Sequence, residues 1–367
     1  MVGSVGTLIL GLQPVLLGAL LAEQRVNFAG LALIATAEML AIGLGSLIFA
    51  LVFSARHMRI KAAILLIATA VGQYLTSDAG SVVWLTIVRT ITGLMEGGLI
   101  AIAVEFVART NAPGRNGGWF VSVQTVAQSL LAALLALAVI PNWGSAGGFT
   151  LLAVVSLATL AITSLLADDY GPMPKAAIDS GNATQRLRSV MAVMTIFTLY
   201  LFIGAIWAFL EPLGGESGVD AATVGVIVSA SLLVQVIGAL AATALEPHIR
   251  YPVVIGGSAA AAVLIAIGFA SGAGLTLFWF LSLATGFLWL FVVPWQISMT
   301  IAADPSRKTA LFVPAAQLFG AAIGPAGAAA FISETDFHPA AWFGAAAAAL
   351  SLTLLLLLLA LNRRHGQ

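Results

Sequence analysis

Ala167–Ser189 reads ADDYGPMPKAAIDSGNATQRLRS and is the longest polar stretch in a chain of 367 residues. It carries Asp168, Asp169, Pro172, Pro174, Asp179, Gly181 and Asn182, the mixture of charge and helix breakers that makes a surface linker. Six apolar segments precede it, at about 2–21, 30–53, 62–77, 82–107, 118–140 and 146–166. Six follow, at about 189–212, 221–245, 253–271, 275–302, 310–332 and 340–361. A membrane-spanning helix needs about 20 apolar residues. These runs are too long and too uniformly apolar for the alternating strands of a barrel. The pattern predicts an all-α polytopic membrane protein with twelve transmembrane helices in two six-helix pseudo-symmetric halves. Residues 1–166 form the first bundle, 167–188 a cytoplasmic linker and 189–367 the second bundle.

Composition excludes other classes. Hydrophobic residues make up 60% of the chain and charged residues 8%, against about a quarter in an ordinary soluble domain. So few charges cannot cover the surface of a soluble enzyme. The 15 basic and 15 acidic residues leave no basic excess for nucleic acid. With no cysteine, disulfides and thiolate chemistry are out. His57, His248, His338 and His365 fall in loops or the tail, so neither a metal site nor a cofactor is expected. The first segment lacks a basic leader and holds Gln13 and Pro14, which reads as a retained span rather than a signal peptide.

Basic residues set the orientation. With the N-terminus cytoplasmic, the cytoplasmic side holds Arg56, Arg59, Lys61, Arg109, Arg115, Lys175, Arg186, Arg188, Arg250, Arg307, Lys308, Arg363 and Arg364. The other side holds Arg25, and Arg89 lies within a span. That is 13 against 1, with 1 in the membrane, accounting for all 15. Both termini are then cytoplasmic, in a cell membrane of the bacterial inner-membrane type.

The halves show traces of a repeat. His57-Met-Arg59 matches His248-Ile-Arg250 at an offset of 191, Pro113-Gly-Arg115 matches Pro305-Ser-Arg307 at 192, and Thr92-Gly93 matches Thr285-Gly286 at 193. Each pair falls in corresponding loops or spans, as an internal duplication requires.

Two six-span halves, a central linker and cytoplasmic termini resemble the major facilitator superfamily over essentially the whole chain. Arg89-Thr-Ile-Thr-Gly93 resembles the family's span-4 Arg-x-x-x-Gly signature. Ser54–Lys61 sits where the family has a Gly-x-x-x-Asp-Arg-x-Gly-Arg-Arg loop; the basic residues remain, while the Asp and glycines are missing. Trp207–Gly214 is similar to a pattern in a bacterial branch of that family. The Gly-Pro antiporter signature is absent from span 5 and has a counterpart at Gly320, Gly324 and Pro325 in span 11, which by analogy disfavours drug–proton antiport. The resemblance implies a secondary transporter, not an enzyme, with a central cavity and alternating access.

Ionisable groups inside the membrane are expensive and so point to function. Glu38 in span 2 and Arg89 in span 4 lie at similar depth, and Glu96 follows Arg89 by nearly two turns on the same face. A carboxylate beside an arginine at that depth can load and release a proton, which assigns Glu96, Glu38 and Arg89 to proton coupling. The alternative is a fixed Glu38–Arg89 ion pair. Glu105, Arg56 and Arg59 are assigned to a cytoplasmic gate. Arg89, Gln13, Gln124, Gln296, Trp207 and Glu211 are the expected substrate contacts. Gln13 and Gln296 stand beside prolines, where broken helices expose polar groups to a cavity. Gln73, Gln128, Gln235 and Gln317 are further embedded amides. Trp207, Trp289 and Trp295 suggest an aromatic wall; Trp84, Trp143 and Trp342 suit the membrane interfaces. No nucleotide-binding loop is present. The expected function is movement of a small organic solute, favoured as an anion with proton coupling, by a monomer in the lipid bilayer. A proton-linked exporter of a neutral or amphipathic compound is the alternative, and a membrane sensor or scaffold the alternative of another class.

Overall fold

Backbone polar groups in a bilayer must bond within their own segment, so apolar runs of this length form helices. The computed structural model describes residues 2–171, 183–333 and 336–364. The middle of the expected linker, with Lys175 and Asp179, and His365 in the tail lie outside the described residues. The helices are α1 (Val2–Ala22), α2 (Phe28–Val52), α3 (Met58–Ser77), α4 (Val82–Arg109), α5 (Pro113–Leu134) and α6 (Ile140–Thr159), followed by α7 (Ala183–Ala208), α8 (Leu210–Glu216), α9 (Ala221–Leu245), α10 (Tyr251–Ala270), α11 (Leu275–Phe291), α12 (Val293–Ala303), α13 (Val313–Ala329) and α14 (His338–Arg364). Polar side chains start several of them. Asn27 accepts the Gly30 N–H at 2.8 Å, Ser81 the Trp84 N–H at 3.2 Å and Asp220 the Thr223 N–H at 3.0 Å.

Among the described residues, nine helices are long and apolar enough to cross a membrane, or up to eleven if each bent pair is one span. The bent pairs are Val2–Gln13 with Val15–Ala22, at 47°, and α11 with α12, at 45°. Both breaks fall at a proline expected to make one, Pro14 and Pro294, because proline removes a backbone donor and crowds the preceding turn. Residues 113–165 run as one 53-residue helical stretch where the sequence suggested two spans. At about 1.5 Å per residue that is far longer than one crossing. Gly144, at φ 64°, leaves the helical conformation within it. α7 begins at Ala183, so the end of the expected linker is helical. Large apolar side chains face outward, with Leu51 65%, Leu137 82% and Leu264 70% exposed. That is the reverse of a water-facing surface.

The chain divides into two compact units, 1–110 with 123–173 and 111–122 with 174–367. In the first, α2 packs on α4 and α3 on α4 and α6. In the second, α9 packs on α11, α10 on α14 and α7 on α13. The internal contacts repeat at one offset. A Cβ on Gly93 of α4 would stand 2.8 Å from the Glu38 carbonyl of α2. A Cβ on Gly286 of α11 would stand 2.6 Å from the Ser231 carbonyl of α9. Both residues of each pair are 193 apart from their counterparts. Gly45 against the Leu94 carbonyl and Gly238 against the Phe287 carbonyl repeat the relation. Helices in lipid associate through such close backbone contact, which only small residues permit.

Candidate functional site

Five helices of the first unit converge on one buried cluster. The Gly93 contact brings α2 and α4 together, and one turn earlier on α4 it sets Arg89 opposite Glu38. Arg89 Nη2 pairs with Glu38 Oε1. Gln13, at the break in α1, donates to Glu38 Oε2 at 3.1 Å. Gln73 of α3 accepts from Arg89 Nη1 at 2.8 Å and donates to Glu96 Oε1 at 2.8 Å. Glu96 Oε1 also lies 3.8 Å from Arg89 Nη2. The Phe149 ring of α6 covers the guanidinium at 5.4 Å, within cation–π range. Glu38, Arg89 and Glu96 are each 0% exposed. Both oxygens of Glu38 are engaged, whereas Glu96 Oε2 and Arg89 Nε have no hydrogen-bond partner. Glu96 is the fifteenth of the 28 residues of α4, at its middle.

The structure thus brings Gln13, Glu38, Arg89 and Glu96 together and adds Gln73 and Phe149. Gln73 was one embedded amide among several, and nothing in its local sequence set it apart. Phe149 reads as ordinary apolar sequence.

The second unit carries no such cluster among its described residues. At the offset of 193, Ile206, Ser231, Ser282 and Trp289 stand where the first unit has Gln13, Glu38, Arg89 and Glu96. Trp289 packs edge-on against Trp207, centroids 5.4 Å apart. Tyr200 donates to the Trp289 carbonyl at 2.9 Å. Gln317 donates to Gln296 Oε1 at 2.5 Å, leaving the buried Gln296 Nε2 without a partner. Gln124, in the first unit, likewise has an unpartnered buried Oε1. Trp295 is fully buried and donates to the Ile249 carbonyl at 2.8 Å, so it anchors its own bundle. Glu211 is exposed on α8. Trp84, Trp143 and Trp342 are exposed, as interfacial residues are.

Of the residues assigned to a gate, Glu105 pairs with Arg109 at 2.5 Å, one turn along α4. Arg56 and Arg59 engage the segment after α6 instead. Arg56 lies 3.7 Å from Asp169, and Arg59 donates to the Leu166 carbonyl at 2.7 Å. Met58 and Tyr170 add backbone bonds between the same segments. Asp168 and Asp169 therefore supply carboxylates to a loop that lacks its own. Burial pushes the Tyr170 hydroxyl up to about 12, reinforced by Glu105 and opposed by Arg109.

No protein-family model and no curated protein matches the sequence. In three dimensions the chain shares the fold of solved transporters of the major facilitator superfamily. Among the solved structures it resembles is a major facilitator superfamily transporter, FucP, in the outward conformation, with a TM-score of 0.77, 14% identity and 97% of each chain covered. A variant of the E. coli fucose:proton symporter FucP follows, with a TM-score of 0.75, 15% identity, and 97% of this chain and 96% of that one covered. The human organic anion transporter MFSD10 (TETRAN) gives a TM-score of 0.71 and 16% identity over 97% of this chain and 96% of that one.

Proposed function

We propose that the protein is a secondary active transporter in which Glu38, Arg89 and Glu96 couple solute movement to protons. The observation that carries this is the buried cluster, in which two carboxylates share one guanidinium. One positive charge balances one carboxylate. Burying the second as an anion costs several kcal/mol, so the cluster is balanced when it holds one proton. Glu38 has both oxygens bonded and serves as the counterion, leaving Glu96 as the proton carrier. The similarity to a fucose:proton symporter supports the same reading. Counting 113–165 as two crossings brings the spans to twelve, with halves 1–166 and 189–367, linker 167–188 and both termini cytoplasmic.

The solute is neutral or amphipathic. Arg89 is enclosed and held by Glu38 and Gln73, so it offers an anion no open face. In the second unit, Gln296, with its spare amide nitrogen, Gln317, bonded to it, and the aromatic surface of Trp207 are the proposed contacts for such a molecule. An anion is the second reading, favoured by the likeness to an organic anion transporter. It requires Glu38 to take a proton and free the guanidinium.

The test begins with a thermal-shift screen of purified protein against small metabolites, since any ligand of the folded state raises its apparent stability. Proteoliposomes with an imposed pH gradient then compare parent and Glu96→Gln. Gradient-driven accumulation should vanish in the variant while exchange of internal for external solute persists. Accumulation equal to that of the parent would remove Glu96 from the coupling.

A further inference from the structure

Where α8 ends and α14 begins, the second unit holds a cluster apart from the groups proposed for coupling. Glu216, the last residue of α8, accepts the Phe337 N–H through Oε1 at 2.6 Å. Its Oε2 lies 3.1 Å from His338 Nδ1. Asp336 Oδ1 lies 3.2 Å from the same nitrogen and accepts the His338 backbone N–H at 3.0 Å. The ligand atoms of all three residues lie within 4.8 Å of one another.

The first unit shows the same place built as a plain helix cap. At the offset of 193, Glu216 corresponds to Glu23 and His338 to Ser145. Glu23 accepts the Ser145 N–H at 2.6 Å and its hydroxyl at 2.5 Å. Arg25, 3.9 Å from Glu23, supplies a permanent positive charge. In the second unit Gly218 stands in the place of Arg25, an imidazole in the place of the hydroxyl, and Asp336 in the place of Trp143. One acid with a fixed cation has become two acids around one ring nitrogen. That nitrogen has hydrogen-bond geometry toward Asp336 Oδ1 only. Glu216 Oε2 is shielded from solvent and receives no hydrogen bond. No Lys or Arg reaches the three carboxylate-bearing or imidazole groups among the described residues.

We propose that Glu216, Asp336 and His338 bind a divalent transition metal of the zinc type. One imidazole nitrogen and two carboxylate oxygens are a donor set that suits zinc. Tetrahedral ligands with bonds of about 2.0–2.1 Å stand about 3.3 Å apart, close to the two spacings of 3.1 and 3.2 Å. The third edge closes by rotation of the Asp336 side chain, which is 55% exposed. Bound metal ties the end of α8 to the first turn of α14. The site stands independently of the solute and of proton coupling.

The test uses the full-length protein, purified in detergent, stripped with a chelator and titrated calorimetrically with zinc chloride, with magnesium chloride as control. Zinc should bind at one per chain and raise the melting temperature, and magnesium should do neither. His338→Ser and Asp336→Ala should each weaken zinc binding by about tenfold or more. His338→Ser restores the residue that the first unit uses at this place, so the cap survives, and Asp336 is exposed, so its removal spares the fold. Absence of zinc binding by the parent, or undiminished affinity in both variants, would overturn the proposal.

Discussion

Glu38 and Arg89 owe their stability to each other, because neither reaches water. Removing one partner of such a pair leaves an uncompensated buried charge and costs about 3–5 kcal/mol, whereas removing both is far milder. Arg89→Gln removes the cluster's one cation and should therefore lower the melting temperature sharply in detergent. Glu38→Gln combined with Arg89→Gln should recover most of the loss and still fail to couple transport to protons. Additive losses in the double variant would mean that the two side chains are stabilised separately. The three charged members were legible in the sequence because an ionisable residue within an apolar run is conspicuous. Their wiring was not. Gln73 and Phe149 come from α3 and α6, and only the register of those helices against α4 brings them to Arg89. The zinc-type cluster was illegible for the same reason: Glu216 stands far along the chain from Asp336 and His338, and each alone reads as a loop residue.

At the scale of elements, the breaks at Pro14 and Pro294 followed from the chemistry of proline, but the loops that hold the helix ends did not. Asp304, just after α12, is nearly buried and accepts from the Ser306 N–H at 2.9 Å, the Ser306 hydroxyl at 2.6 Å, the Thr309 N–H at 3.0 Å, the Thr309 hydroxyl at 2.9 Å and Gln185 at 3.0 Å. Gln185 lies at the start of α7, so one carboxylate joins the beginning of α7 to the loop after α12. Burial alone would raise the Asp304 pKa, yet the bonds from Ser306 and Thr309 outweigh it and hold it below the usual aspartate value. A depressed folded-state pKa contributes stability that is present above the unfolded-state value and lost as pH falls through the folded one. The parent should lose stability as pH drops below about 3.9, the ordinary aspartate value. Asp304→Asn should be less stable than the parent at neutral pH and show a flatter decline on acidification. Thermal unfolding followed across that range measures both. Identical slopes would show that the carboxylate's charge contributes nothing there. Sequence alone offered only a polar residue before Pro305, since hydrogen bonds from three separate places depend on how the chain turns after α12.

For the whole molecule, the linker and the placement of the basic residues point to six spans on either side, and the 53-residue stretch 113–165 decides the count. If that stretch crossed the membrane once, every later loop would change sides and the basic residues would no longer gather on one face. Gly144 argues for two crossings, because its positive φ turns the chain beside the exposed Pro141, Asn142 and Trp143. The helix itself conceals the break: the π-turn at Leu135–Val139 keeps the hydrogen bonding continuous almost to the glycine, and so a polar gap of the kind that marks the linker never develops. The chain has no cysteine, so single cysteines report position cleanly. Asn142→Cys and Ser217→Cys should react with a membrane-impermeant thiol reagent added outside intact cells, and Ser306→Cys should react only after the membrane is opened. One crossing at 113–165 would instead place Asn142 within the bilayer, unreactive, and put Ser217 on the same side as the cytoplasmic basic loops before it. Labelling of Ser217→Cys and Ser306→Cys from the same side would break the alternation in the second half independently. The Asn142 result thus decides the count in the first half, and the Ser217 and Ser306 results decide the alternation in the second.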